Sequence, residues 1–139
     1  MKTSLENLLS IDRQYKMILQ RLTKKNNLTI SEWQLLKKIA AKFNTQEKLS
    51  KETDLDISTL SRQLKRLVEK DMLDKHSIGD DKRQLIYTMT EVGVESSNAV
   101  DLGFTELEST IFEKWPEDEQ NLLRMLLNRL DKSLTRTDV

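Results

Sequence analysis

Apolar residues recur three and four positions apart along most of the chain, the spacing that lines one face of a helix. Leu5, Leu8, Leu9, Tyr15, Ile18, Leu19 and Leu22 predict a first helix from about Thr3 to Lys25. Asn26 and Asn27 predict its stop, because Asn tolerates a left-handed backbone. A second helix is expected to open at Ser31, which has capping-box spacing to Gln34. Trp33, Leu36, Ile39, Ala40 and Phe43 form its apolar stripe. Thr45 is placed to cap a short third helix, anchored inward by Leu49. Asp54-Leu55-Asp56 reads as a tight turn, with Asp56 capping a fourth helix from Ile57 to about Lys70. Ile57, Leu60, Leu64, Leu67 and Val68 line one side of that helix.

The pattern then changes. Met72 to Ser77 and Leu85 to Met89 read as two strands, the second with Leu85, Tyr87 and Met89 alternating with Ile86 and Thr88. The charged segment Ile78-Gly79-Asp80-Asp81-Lys82-Arg83 joins them at hairpin length. Thr90 is expected to cap a long fifth helix, from about Glu91 to Lys114, with Val100, Phe104, Leu107 and Ile111 as its stripe. Gly103 inside it costs about 1 kcal/mol relative to Ala and marks a bend or a close crossing. Pro116 suits the first position of a sixth helix. Glu117, Asp118 and Glu119 follow where the helix dipole favours acids, and Leu122, Leu123, Leu126, Leu127, Leu130 and Leu134 form its stripe.

Composition narrows the reading. No apolar run approaches the roughly 20 residues that span a bilayer. The opening MKTSLENLLSIDRQYK interrupts its apolar stretch with charges, which predicts no secretory signal and a cytoplasmic protein. The absence of cysteine fits a reducing compartment and excludes a disulfide scaffold or a thiol switch. The net charge is zero, yet it is unevenly spread: residues 1–44 are net +6, residues 45–90 net 0 and residues 91–139 net −6. Either this is chance unevenness on solvated helices, or the two ends of the chain pack against each other, within or between subunits. No nucleophile elbow, phosphate loop or metal triad appears, so no enzyme and no cofactor is predicted. His76 is the only histidine and makes a poor case for a metal site.

The central segment carries the chemistry. A helix pair joined by a tight turn presents its second helix to the major groove of DNA. The fourth helix has a polar side bearing Ser58, Thr59, Ser61, Arg62, Gln63, Lys65 and Arg66, and from Ile57 to Lys70 it is locally net +3. Arg forks onto guanine O6 and N7, Ser and Thr hydroxyls bond phosphates or base edges, and Lys65 is a point charge for phosphate. The same face would also serve as an ordinary solvated surface. In the hairpin, Asp81 and Arg83 flank Lys82, and an Arg on such a flap reaches a narrow minor groove where the negative potential is strongest. A generic charged hairpin tip is the plainer alternative.

The stretch from Thr45 to Gly93 resembles the winged-helix core of the MarR family, the multiple-antibiotic-resistance type of bacterial regulator. The resemblance lies in Leu49, Leu55, Ser58-Thr59-Leu60-Ser61-Arg62, Leu67-Val68-Glu69-Lys70, Asp81-Lys82-Arg83 and Thr90-Glu91-Val92-Gly93. The flanking helices match the family layout, so it covers nearly the whole chain. The Asp-Lys-Arg wing with the following strand and Thr-Glu-x-Gly is its more specific part. The implied fold is mainly α with a small β-hairpin wing, a winged helix-turn-helix core with N- and C-terminal dimerisation helices. Within a single domain over 1–139, residues 1–30 and 114–139 would be the dimerisation helices, 31–90 the winged helix-turn-helix and 91–113 a connecting helix.

The resemblance further implies a homodimer that binds double-stranded DNA at a pseudo-palindromic operator as a regulator, in many relatives a ligand-responsive one. Ser58, Thr59 and Arg62 would be major-groove contacts, and Arg83 the minor-groove contact. A small aromatic or anionic effector would sit in a cleft that Tyr15, Trp33 and Phe43 border, although such residues also serve as plain core. The family usually has Gly where this chain has Asp71, and Leu-Ile-x-Arg where it has Met72-Leu73-Asp74-Lys75. Asp still adopts the left-handed conformation, at some cost. The competing expectation is a winged-helix module for protein partners, which the neutral charge permits.

Overall fold

A computed structural model of the chain describes residues 2–79 and 84–139. Among them the elements run α1 (Ser4–Lys24), α2 (Ile30–Ala40), α3 (Gln46–Glu52), α4 (Ile57–Glu69), β1 (Leu73–Ile78), β2 (Gln84–Met89), α5 (Glu91–Ile111) and α6 (Glu117–Thr135). This is the mainly helical winged helix-turn-helix that the pattern predicts. Asp81, Lys82 and Arg83 lie outside the described residues. No helix among the described residues is long and apolar enough to cross a membrane. The chain divides into two compact units, residues 1–104 and 105–139.

In the first unit, Leu35 and Leu36 of α2, Leu49 of α3, and Leu60, Leu64 and Leu67 of α4 meet Met72, Leu73 and Val100 in one core. Strands β1 and β2 pair antiparallel from Leu73↔Met89 to Ile78↔Gln84. A short bridge from Thr45 to Ile86, with Tyr87 N donating to Asn44 O at 2.8 Å, ties the hairpin to the start of α3. The sequence pattern did not announce this third pairing, because two residues of strand carry no periodicity.

Local chemistry sets the helix ends. Thr3 and Glu6 form a capping box on α1, and Asn27 ends it in the left-handed region at φ 59°. On α2 the box is Thr29 with Glu32, not Ser31 with Gln34. Thr29 Oγ1 accepts from Glu32 N while Glu32 Oε1 accepts from Thr29 N, so the helix starts two residues before the expected position. Ser31 is thereby inside the helix and donates instead to Gln63 Oε1 of α4. Ala40 is exposed, and Leu35 takes a core place that the expected stripe omitted.

Asp71, at φ 61°, adopts the left-handed conformation that the family usually gives to Gly. The Thr90-Glu91-Val92-Gly93 motif then has a mechanical reason. Thr90 Oγ1 donates to Asp71 O at 2.6 Å and accepts from Gly93 N at 3.0 Å, joining the turn before β1 to the first turn of α5. A Cβ on Gly93 would strike the carbonyl oxygen of Met72. Gly103 marks a close crossing of α1 and α5, since a Cβ there would meet Leu22 Cδ1.

In the second unit α5 ends at Ile111, short of Lys114. Trp115 N bonds Phe112 O at 3.0 Å, and the two rings meet edge to face with centroids 5.0 Å apart. Gln120 Nε2 donates to the carbonyls of Phe112 and Trp115, so these groups are satisfied by a turn rather than by more helix. Pro116 has an extended ψ of 150° and is the residue before α6, one position earlier than expected. No residue of α6 is buried within the chain; Leu122, Met125, Leu126, Leu127 and Leu134 lie exposed along it.

Candidate nucleic-acid interface

The site is built on α4. Leu60, Leu64 and Leu67 are fully buried on one side, which fixes the rotation of the helix and turns Ser58, Ser61, Arg62, Lys65 and Arg66 to the outside. Thr59 is half-buried beside them. These six side chains thus occupy one helix on the side away from the core.

The N-terminus of α4 is tightly organised. Asp56 Oδ1 accepts from Thr59 N at 2.7 Å and from Ser58 Oγ at 3.0 Å. The hydrogen bond from the Thr59 amide, then those involving the Thr59 and Ser58 side chains and the charge of Arg62, hold the Asp56 carboxyl below its ordinary pKa. Arg62 Nη2 lies 3.4 Å from Thr59 Oγ1, one turn back along the same stripe. Gln46, the first residue of α3, donates from Nε2 to Ser61 Oγ at 2.6 Å. Sequence reasoning missed Gln46 as a member of this face; its place directly after the cap Thr45 was the available signal.

Ile57 corrects the expected stripe. It is 68% exposed at the first position of α4, beyond the reach of the core that covers Leu60. Its helical angle is right for burial, but among the described residues the helix end is left uncovered.

The other end of α4 is locked from below. Lys70 Nζ donates to Glu32 Oε1 and to Asn27 O, each at 2.8 Å. Among the described residues no hydrogen-bond partner meets the buried Glu32 Oε2. The helix that carries the polar face is therefore clamped to the α1–α2 connection at its C-terminus and to α3 at its N-terminus.

The three effector candidates differ in exposure. Trp33 is 5% exposed and belongs to the core; its Nε1 donates to Asp101 Oδ1 at 2.8 Å, and Lys37 Nζ stands 4.8 Å over its ring. Phe43 packs against the core with Lys38 Nζ 5.9 Å above its ring. Tyr15 is 40% exposed on α1. A cleft of about 610 Å³ is lined by other residues, among them Gln20, Lys24, Asn27, Ser31 and Lys70. His76 Nε2 lies 3.2 Å from Thr88 Oγ1 across the hairpin. Among the described residues no group of three His, Cys, Asp or Glu is placed to hold a metal ion.

Residues 17–100 match the family model of the transcriptional regulator SarA/Rot. The chain belongs to the SarA/Rot family of transcriptional regulators. Among curated relatives of this SarA/Rot protein, the HTH-type transcriptional regulator YxaD of Bacillus subtilis is 30% identical over 87 residues, 63% of this chain. The chain spans only 61% of that relative's length. An HTH-type transcriptional regulator of Staphylococcus aureus is 25% identical over 131 residues, 92% of this chain and 90% of the relative.

Solved structures place the SarA/Rot chain in the MarR-type winged-helix fold. Staphylococcus aureus MarR in complex with salicylate and kanamycin superposes with a TM-score of 0.83 at 23% identity, covering 96% of this chain and 91% of the other. The S. aureus MepR–DNA complex superposes with a TM-score of 0.76 at 20% identity, covering 95% and 96%.

Proposed function

We propose that this protein is a sequence-specific, double-stranded-DNA-binding repressor that acts as a homodimer on a pseudo-palindromic operator. One observation carries the reading. The second helix of the helix-turn-helix is buried along Leu60, Leu64 and Leu67 and carries Ser58, Ser61, Arg62, Lys65 and Arg66 outward as a cationic, hydroxyl-rich face. One such helix fits the major groove, which is about 12 Å wide. Ser58, Thr59, Ser61 and Arg62 would meet base edges, and Lys65 and Arg66 would meet phosphates. Asp81, Lys82 and Arg83 would form the wing's minor-groove contact, with Asp81 orienting the Arg83 guanidinium.

The homodimer rests on uncovered apolar surface. Leu5, Leu9 and Ile18 on α1, and Leu122, Leu126 and Leu134 on α6, are exposed large hydrophobic residues. Such patches mark interaction sites. A second copy of the chain supplies the same surface, as a two-fold interface requires. The domain scheme follows: the terminal helices dimerise, residues 31–90 read DNA and α5 connects them.

Ligand response is the remaining part. The S. aureus MarR structure holds salicylate, a small aromatic anion. An effector of that class, bordered by Tyr15, Trp33 and Phe43, would shift the spacing of the two reading helices and release DNA. A protein with this task works in the cytoplasm.

The test is a gel shift against the region upstream of the protein's own gene and against unrelated DNA. Tight binding to the first, abolished by competitor operator and falling steeply with salt, is the expected result. Weak binding that is indifferent to sequence would replace this reading with a protein-interaction module.

A further inference from the structure

Ile57 and Ser61 stand one turn apart on α4, at the i and i+4 positions that adjoin on a helix surface. Both are exposed. Ile57 belongs neither to the core nor to the apolar residues packed against it. It opens the helix that carries the reading face, so a large apolar side chain stands uncovered where polar groups would cost less. Ser61 has a defined hydrogen-bond direction. Its Oγ accepts from Gln46 Nε2 at 2.6 Å, and among the described residues no acceptor takes its proton. The hydroxyl therefore offers a donor to whatever meets this face.

An apolar side chain beside a hydroxyl donor matches one base edge in the major groove. Thymine presents its C5 methyl next to the O4 acceptor. Cytosine presents the N4 donor and no methyl, adenine presents N7 and the N6 donor, and guanine presents two acceptors without a methyl. We propose that Ile57 and Ser61 form a thymine-reading subsite, with Ile57 against the C5 methyl and the Ser61 hydroxyl donating to O4. Gln46 is a positioning residue that keeps Ser61 a donor. The proposal rests on the DNA-binding reading above and adds to it the base that this edge of α4 selects.

The experiment starts from genomic fragments selected by the wild-type protein. In the selected site each thymine is replaced in turn by deoxyuridine, which lacks only the methyl, and each T·A pair by 5-methylcytosine·G, which keeps the methyl but exchanges the O4 acceptor for a donor. One thymine per half-site is expected to lose about fourfold in affinity as deoxyuridine, the worth of one buried methyl. The same position is expected to lose about tenfold or more as 5-methylcytosine. Ile57→Ala removes the thymine–deoxyuridine difference and keeps the penalty for 5-methylcytosine. Ser61→Ala does the reverse, and Gln46→Ala weakens the 5-methylcytosine penalty without changing the methyl effect. Because Ile57 is exposed, its truncation leaves the core intact.

Specific binding with no deoxyuridine-sensitive thymine overturns the subsite while leaving the DNA reading in place. So does an Ile57→Ala protein that still separates thymine from deoxyuridine. Failure to retain any fragment above background overturns the DNA reading itself, and the subsite with it.

Discussion

Lys70 Nζ sits 2.8 Å from Oε1 of Glu32, whose side chain is 1% exposed. The lysine comes from the end of α4 and the glutamate from the first turn of α2, where the same oxygen closes the capping box with Thr29. One buried charge thus joins a helix start to a helix end. Removing the lysine leaves the Glu32 carboxyl buried without its cation, and breaking such a pair is strongly destabilising. Lys70→Met is expected to cost about 3 kcal/mol in urea unfolding. Adding Glu32→Gln to that variant is expected to recover part of the loss, because the uncompensated charge is gone. A Lys70→Met protein as stable as wild type would show that the pair contributes nothing.

The two helical glycines of α5 are expected to respond differently to alanine. At Gly93 the added Cβ meets backbone, the Met72 carbonyl oxygen, which cannot move without displacing the turn that Thr90 holds. Gly93→Ala is expected to destabilise by about 3 kcal/mol, the upper range for overpacking. At Gly103 the Cβ meets the flexible tip of Leu22, and alanine gains about 1 kcal/mol of helix propensity. Thermal unfolding of the two variants side by side measures the contrast, and equal losses would contradict it.

Asp56 predicts a pH signature. Its carboxyl is held below its ordinary value by the amide and hydroxyl of Thr59, by Ser58 and by the charge of Arg62. A lowered folded-state pKa means that the cap stabilises fully above the ordinary aspartate value, about 3.9, and that this stabilisation is lost as pH falls through the lowered value. Asp56→Ala is therefore expected to be less stable than wild type at neutral pH, with the gap closing in strong acid. Asp56→Asn, which caps without a charge, is expected to show a smaller gap at neutral pH. Denaturation midpoints followed from neutral pH into acid report both.

Variants of Arg62 and Lys65 are expected to separate base reading from phosphate contact. Arg62→Ala is expected to lose about 1–3 kcal/mol of operator binding and to relax preference at one position. Lys65→Ala is expected to weaken all sequences alike and to reduce the salt slope by about one. Arg83→Ala is expected to weaken binding most where the flanks are A·T-rich. Fluorescence anisotropy over a salt series, with operator and scrambled duplexes, distinguishes these outcomes.

The uncovered leucines of the terminal helices predict assembly. Sedimentation equilibrium at micromolar concentration is expected to give twice the 16.3 kDa chain mass. Leu126→Asp, which places a charge on the exposed apolar side of α6, is expected to shift the protein toward monomer and to weaken operator binding with it. A wild-type monomer at that concentration would exclude the dimeric reading.

Much of the molecule was legible in the chain because the signals are local. Helical periodicity located the longer helices and the cap Thr45 the short α3, and Thr3, Thr45, Asp56 and Thr90 sit at their helix starts because a short oxygen-bearing side chain reaches backbone donors only there. The polar residues of α4 were readable as one face for the same reason. At α2 the spacing of Ser31 to Gln34 misled, because Thr29 and Glu32 have the same spacing and form the box, with Glu32 buried against Lys70.

The sequence by itself determined the order of the elements, the ends of most helices and the polar character of the outer face of α4, since each follows from chemistry within a few residues. Tertiary structure decided which apolar positions are covered. Ile57 and Leu60 share a stripe, yet one is open and the other sealed, because burial depends on how far neighbouring elements reach. It also decided that Gln46 holds Ser61, and that Lys70 neutralises Glu32 across 38 residues of chain, pairings that no periodicity encodes.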